Sequence, residues 1–366
     1  MSFSQDDLDA AVSQGALTHE AAAAFGEFVE RRRSTPLADD EAFRLLTGFN
    51  DIFVSIAIVM VLVALGGLSM AWAAPATNVG LTVGFLGAAV AAASWGLAEF
   101  FTRVRRMALP SILLLLAFVG GVGAVAGSAA VHFMPTLPNA GQLVAMVAAV
   151  CGPAGFAALL HWRRFKVPIT VAAGVFVAGL AGVLVVATLT DSRTINTTGV
   201  LVAGLSAFGL ALWWDASDPA RRTRRADVAF WLHLLAAPAI VHPLFALLGL
   251  ARTTGFLWGE RMMPPPPPPD AHLVEVALAS VAIYAALGIV ALIVDRRALM
   301  VSGLLYLLYA TNAALELGGS PTVSLASAAL IVGGGLLLLS AFWPAARRGV
   351  LHFVPQAWRS SLPPPA

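Results

Sequence analysis

The sequence predicts an all-α fold, a bundle of about ten transmembrane helices with both termini in the cytoplasm. The 366 residues are 59% hydrophobic and 11% charged, with a mean hydropathy of +0.83, whereas soluble domains carry about 25% charged residues. The apolar residues also form repeated runs of about 20 residues, which is the length of a membrane-spanning helix. These observations exclude soluble, disulfide-stapled and disordered proteins.

Ten apolar runs are candidate spans. They cover residues 52–74, 79–99, 109–133, 139–161, 168–190, 194–214, 228–250, 271–294, 298–316 and 321–343. Backbone groups in lipid must be hydrogen-bonded within the segment, so runs of this length are helices. We therefore expect a ten-span bundle over residues 51–345 and a cytoplasmic tail at 346–366.

Basic residues orient these spans, because short loops rich in arginine and lysine stay on the cytoplasmic side. Arginine clusters precede span 1 and follow every second span, and they contain all of the 22 basic residues except Arg193, Arg252 and Arg261. This alternation places both termini in the cytoplasm.

Arginines in these loops are candidates for contact with anionic lipid headgroups. They are Arg103, Arg105, Arg106, Arg163, Arg164, Arg221 and Arg222. Since the clusters alternate with membrane spans, we expect the lipid bilayer, and not nucleic acid, to be their partner.

Four cytoplasmic span ends share a pattern in which an acidic or histidine side chain precedes an arginine pair. The leading residues are Glu99, His161, Asp215 and Asp295. The pattern resembles a repeated two-helix hairpin, although the need of every cytoplasmic loop for arginines also accounts for it.

Residues 1–50 predict a cytoplasmic helical hairpin with a net negative charge. Gly15 ends the first helix, and Thr18 is a good N-cap for the second, with Glu20 in its first turn. The hairpin is either a solvated cap over the cytoplasmic loops or a docking module for a protein partner.

Span 9 carries a polar stripe at helical spacing. Its members are Ser302, Tyr306, Tyr309, Asn312 and Glu316. At 100° per residue they share one face. Such a stripe lines a polar pathway for a substrate or ion, or it supplies interhelical hydrogen bonds in a packed bundle.

Span 7 holds His233 and His242 near two prolines, Pro238 and Pro243. The prolines free the carbonyls of Leu234 and Ala239 and predict a kink, a feature of transporter binding sites. We therefore take His242 as a candidate pathway residue. The two histidines point to opposite faces of the helix and cannot share a metal.

Metal binding has one weak candidate, in which His272 and Glu275 share a face at the outer end of span 8 and Glu316 ends the next span on that side. No motif with metal-ligand spacing supports it. The chain contains no GxSxG, P-loop, GxGxxG or CxxC motif, so we expect neither an enzyme nor a cofactor. The loop 251–270 carries six consecutive prolines, which form a stiff extracytoplasmic spacer.

Small residues at four-residue spacing predict close helix packing. They are the pairs Gly80 and Gly84, and Gly123 and Gly127, and the series Gly174, Ala178 and Gly182.

The segment 15–20, Gly-Ala-Leu-Thr-His-Glu, stands in an acidic hairpin followed by Gly/Ala/Leu-rich spans with arginine pairs between them. In this it resembles the bacterial polytopic membrane proteins grouped as the domain-of-unknown-function 2157 family. The resemblance implies a bacterial inner-membrane location and supplies no catalytic residues.

Two function classes follow from these features. The stripe of span 9 and the prolines of span 7 favour a transporter, channel-like or lipid-handling protein for a small solute or proton. The alternative is a non-catalytic membrane scaffold or accessory subunit that docks a partner through its N-terminal hairpin.

Overall fold

A computed structural model describes most of the chain. The described residues are 12–22, 24–25, 49–73, 79–133, 138–221, 223–248, 273–297, 299–300, 303–304, 307–308, 311–312, 321–359 and 362–363. All regular secondary structure within them is helical. The all-α prediction is therefore confirmed for this part of the chain.

The helices that position the site follow one another in this order along the chain. They are α1 (Phe49–Ala73), α2 (Val79–Ala98), α3 (Ala108–Phe133), α4 (Ala140–Phe165), α5 (Ile169–Leu189), α6 (Arg193–Ala216), α7 (Arg224–Leu247), α8 (Leu273–Val294), α9 (Pro321–Ala341), α10 (Trp343–His352) and α11 (Gln356–Arg359). A π-helical segment, Glu99–Val104, continues α2.

Eight of the described helices, α1 to α7 and α9, are long and apolar enough to cross a membrane. They coincide within a few residues with eight of the predicted runs. The described part of α8 adds a shorter apolar helix, Leu278–Val294. The chain is thus a multi-pass membrane protein by the length and composition of its helices.

Glycines set the closest helix crossings. A Cβ on Gly87 of α2 would lie 2.7 Å from the Gly121 carbonyl oxygen of α3, and a Cβ on Gly121 would lie 2.7 Å from the Gly87 oxygen. A Cβ on Gly204 of α6 would lie 2.6 Å from the carbonyl carbon and oxygen of Ala239 in α7. Only glycine lets these backbones meet, so α2 with α3 and α6 with α7 are the most intimately packed pairs.

The predicted small-residue pairs pack less tightly, with one exception. Gly80 and Gly84 both meet Ser128 of α3, whose hydroxyl donates a 2.5 Å hydrogen bond to the Gly80 carbonyl. A Cβ on Gly123 or Gly174 would make ordinary contacts at 3.8 Å with alanines of the neighbouring helices.

Helix α7 is the most deeply buried of the eight candidate spans. Leu232 and Val228 pack against Ala211 of α6 and Ala172 of α5, and Ala237 joins a second cluster with α8 and α10. α7 also remains helical through Pro238 and Pro243. It therefore places His233 inside the bundle.

Four hairpin turns share one backbone feature. Arg106, Lys166, Arg221 and Asp295 adopt left-handed conformations with φ between 51° and 60°. A left-handed residue is the usual way to end a helix and reverse the chain. The four turns are those with the predicted acid-and-arginine pattern, and their shared geometry favours the hairpin-repeat interpretation.

Near the N-terminus, the predicted turn is confirmed. Gly15 has a φ of 75°, and the Thr18 hydroxyl accepts a 3.1 Å hydrogen bond from the Ala21 amide as an N-cap. Helical residues follow at 19–22 and 24–25.

Candidate functional site

A buried carboxylate lies at the end of α6. Asp215 accepts a 2.8 Å hydrogen bond from Nε2 of His233 in α7, and a 2.5 Å bond from Nη2 of Arg296, which follows α8. The Arg296 Nε also donates to it at 3.3 Å. All three residues are less than 5% exposed. We call these three residues the Asp215 lock, because they join three segments that are distant in sequence.

The turn after α8 positions Arg296. Asp295 is left-handed, which Asp tolerates better than most residues. The Arg296 amide then bonds the Ala291 carbonyl at 2.9 Å, closing the helix in a Schellman motif. This turn directs the Arg296 side chain back toward α6 and α7, where its Nη2 also donates to the Ala226 carbonyl at 3.0 Å.

His233 has one ring nitrogen in use and one without a partner. Because the Asp215 carboxylate can only accept, the ring carries its proton on Nε2, and Nδ1 is a lone acceptor. Nδ1 is buried, and no hydrogen-bond partner for it lies among the described residues. The ring packs edge-on against Phe208, 5.3 Å between centroids. Nδ1 therefore faces an environment that offers it no proton donor.

A second cluster surrounds Asp295. Its carboxylate accepts bonds from Arg221 Nη1 at 3.2 Å and Trp343 Nε1 at 2.8 Å, and Arg347 Nε lies 3.6 Å away. Arg347 also donates to the carbonyls of Leu292 and Pro363. Burial lowers the pKa of the Arg347 guanidinium from its ordinary value, and the Asp295 carboxylate opposes that shift. The cluster fastens α10 and the chain end at 362–363 to α8.

Because Asp295 and Arg296 are adjacent, the lock and the Asp295 cluster form one charged layer. In the layer, three arginines face two carboxylates and one histidine. Its shared carboxylates hold the segments together, and His233 Nδ1 is an acceptor that has no partner among the described residues. Both carboxylates already accept several hydrogen bonds, whereas His233 Nδ1 accepts none from the described residues. A proton added at Nδ1 therefore breaks no existing hydrogen bond.

The first half of the bundle contains a counterpart of the lock. Arg164 at the end of α4 donates two bonds, at 2.7 and 2.8 Å, to Glu99 at the end of α2. Here too an acid that ends one helix pairs with an arginine near the end of the helix two further along. This pair is exposed, whereas the Asp215 lock is buried.

Matching positions of the two halves lie 115 to 118 residues apart. The pairs are Gly87 and Gly204, Glu99 and Asp215, Arg106 and Arg221, and Gly121 and Ala239. The first pair consists of the two glycines at close helix crossings, and the third consists of the two residues in left-handed turns. The fourth pair consists of the residues whose backbone each glycine meets. Helices α2 to α4 and α6 to α8 thus carry these features in the same order.

Among the predicted pathway residues, the structure describes the side chains of two. Asn312 accepts a 3.1 Å hydrogen bond from the Ser324 hydroxyl of α9, which is the interhelical bond expected if the stripe is structural. His242 is half-buried in α7. Tyr306, Tyr309, Glu316 and His272 lie outside the described residues, as does the side chain of Glu275.

The arginines predicted to contact lipid fall into two groups. Arg164 and Arg103 pair with Glu99, and Arg221 is part of the Asp295 cluster. Arg105, Arg106 and Arg163 are exposed, and Arg222 lies outside the described residues. The first group is engaged within the protein, and the exposed group keeps the predicted role open.

Sequence reasoning noted Asp215, Asp295 and His233 but did not join them. The signal that could have done so is the repeated acid before an arginine pair, which marks both carboxylates. Their partners are 18, 74 and 81 residues away, separations that no local pattern reveals.

Comparisons of the chain with protein-family models, curated proteins and solved structures gave no match. The fold and the charged layer define the class, a multi-pass integral membrane protein with ionic interactions buried at one end of its helices. Any statement about its activity rests on the chemistry of that layer.

Proposed function

We propose that the protein is a proton-responsive membrane transporter in which the Asp215 lock closes one end of the pathway. The single observation that carries this proposal is a buried carboxylate shared by a histidine and an arginine from three separate segments. Ionisable groups at membrane depth are costly, and they mark ion or proton pathways when they persist.

Protonation of His233 opens the lock in this proposal. Its free Nδ1 gains a proton, and the ring becomes a cation with an N–H that no described acceptor meets. An unpaired buried donor costs about 1–3 kcal/mol, and a charged one costs more. The added positive charge also lies near Arg296 and Arg221, with Asp215 as the opposing carboxylate. Acid therefore favours a state in which His233 reaches water.

Helix α7 is the element that would move. It carries His233 at the lock, and its prolines remove two helical hydrogen bonds further along. Helices weakened in this way bend at defined points. Movement of α7 relative to α6 would break the bond between His233 and Asp215 and expose the layer.

The finer topology is also part of the proposal. Ten spans are supported by the helical residues among 299–312, which lie between α8 and α9. Ion pairs and hydrogen bonds link α2 to α4, the loop after α4 to α7, and the loop after α6 to α8, so these arginine-rich turns share one end of the bundle. In our proposal that end lies in the cytoplasm, and both termini lie on the cytoplasmic side of a bacterial inner membrane.

Proton flux into proteoliposomes tests the function. We expect acid outside to drive proton entry through the purified full-length protein, measured with an enclosed pH-sensitive dye. His233→Gln keeps a donor for Asp215 but cannot accept a proton, so flux should fall to that of empty vesicles. Glu99→Gln, which alters the exposed counterpart, is the matched control and should retain flux. Equal flux in wild type and His233→Gln would refute the proposal.

A further inference from the structure

An open apolar groove runs between α5 and α6. These two helices make the loosest contact among the consecutive pairs from α1 to α7. The groove has a volume of about 690 Å³, and α5 lines one wall and α6 the other. None of the residues that line it belongs to the Asp215 lock.

The groove is open because its walls carry small residues. Gly182 of α5 and Gly199 of α6 both line it, and a Cβ added to either would meet nothing within 4 Å. Side chains of α5 and α6 therefore leave a channel that no described part of the chain fills.

The wall offers almost no polar groups to a ligand. Two of its three hydroxyls are used within α6: Thr198 donates to the Thr194 carbonyl and Ser206 to the Val202 carbonyl, each at 2.8 Å. Valine, alanine and glycine make up most of the rest. A hydrocarbon chain suits such a wall, whereas a polar solute would lose its hydrogen bonds to water.

One end of the groove carries a pair of opposite charges. Thr194 and Ile195 line this end, directly after Arg193, and Asp191 lies in the preceding turn. Both charged side chains are exposed, and neither has an ion-pair partner among the residues that the structure describes. Ser192 caps α6 here, accepting from the Ile195 amide at 3.4 Å, so the positive end of the helix dipole adds to Arg193.

We propose that this groove binds a glycerophospholipid whose head carries both a phosphate and an ammonium group. One acyl chain lies along the groove, the phosphate meets Arg193, and the ammonium meets Asp191. The apolar wall suits the acyl chain of such a lipid, and the cation and anion at its end suit the two charges of the zwitterionic headgroup. The proposal does not depend on transport, because no residue of the lock lines the lipid site.

Lipid retention tests the site. The purified full-length protein is incubated in detergent with dioleoyl phosphatidylethanolamine, washed, and examined by native mass spectrometry. We expect one retained lipid per chain. Gly182→Leu adds a side chain whose Cβ meets nothing within 4 Å and which takes up groove space, so it should reduce retention about tenfold. The control Gly209→Leu adds the same side chain to α6 at a position that also meets nothing within 4 Å and does not line the groove.

The charged end is tested separately. Arg193→Gln and Asp191→Asn should each weaken retention severalfold, whereas Arg348→Gln, at an exposed arginine of α10, should not. Dioleoyl phosphatidylglycerol and oleate, which lack the ammonium, should be retained less than phosphatidylethanolamine.

Three outcomes would overturn the proposal. Unchanged lipid retention in Gly182→Leu would show that the lipid does not bind in the groove. Equal retention of phosphatidylglycerol and phosphatidylethanolamine would show that the charge pair does not recognise the headgroup. Loss of a dimer in Gly182→Leu, with lipid retention unaltered, would assign the groove to a second copy of the chain.

Discussion

Replacing Asp215 by asparagine should lower the free energy of unfolding by about 3–5 kcal/mol, the cost of leaving one partner of a buried ion pair uncompensated. Arg296 would keep its charge at 4% exposure, and its strongest acceptor would be gone. Thermal unfolding of the purified protein in detergent measures the effect as a large fall in Tm. Glu99→Gln is the matched control, since it removes the carboxylate of the corresponding exposed pair and should change Tm little.

A triple substitution separates packing from chemistry. Replacing a whole buried ionic group by apolar side chains of similar size is often neutral or stabilising. We therefore expect Asp215→Leu, His233→Leu and Arg296→Met together to recover much of the Tm lost in Asp215→Asn, and to abolish any response to acid. Recovery of stability with the acid response intact would contradict a role for the lock in proton sensing.

Gly204→Ala is the second large effect. Alanine normally stabilises a helix relative to glycine by about 1 kcal/mol, but here the added Cβ would lie 2.6 Å from the backbone of Ala239. The helices must separate, and overpacking of this kind costs about 1–3 kcal/mol. We expect a lower Tm and weakened contact between α6 and α7.

The control lies on the same helix. A Cβ on Gly209 meets nothing within 4 Å, so Gly209→Ala should leave Tm unchanged or raise it. Equal changes of Tm in Gly204→Ala and Gly209→Ala would contradict the claim that close contact with Ala239 requires glycine at position 204.

Gly204 also explains how the prolines of α7 are accommodated. Pro243 has no amide hydrogen, so the Ala239 carbonyl loses its helical partner. That carbonyl lies against the backbone of Gly204, because a Cβ added there would come within 2.6 Å of its oxygen. The glycine and the proline are therefore one feature built from two helices, and it lies about four turns along α7 from its start at the lock end.

The sequence predicts the spans well because bilayer thickness fixes their length and arginines mark their ends. Helix α3, for example, begins and ends within one residue of the predicted run 109–133. The N-cap at Thr18 was also predictable, since it depends on residues three apart. Features that depend on one short segment are recovered.

Features that depend on contact between helices are not recovered. Gly204 belongs to none of the small-residue pairs that the sequence suggested, and its importance comes from Ala239 on another helix. Likewise, His233 was compared with His242 on its own helix, whereas its partner is Asp215 on α6. Both cases depend on which helices are neighbours. Apolar periodicity does not reveal the neighbours, because nearly every face of these helices is apolar.

Accessibility of the lock as a function of pH tests the central claim most directly. Ala211 is fully buried and lies one turn before Asp215 in α6. Ala211→Cys is made in a Cys151→Ser background, because Cys151 is the only native cysteine. Labelling with a membrane-impermeant thiol reagent is then followed from about pH 8 to about pH 5, where a histidine ordinarily titrates.

The account predicts protection near pH 8, rapid labelling near pH 5, and protection at both values when His233→Gln is added. Labelling that rises with acid equally in the His233→Gln protein would show that His233 is not the proton acceptor, and protection of Ala211→Cys at every pH would show that the lock does not open.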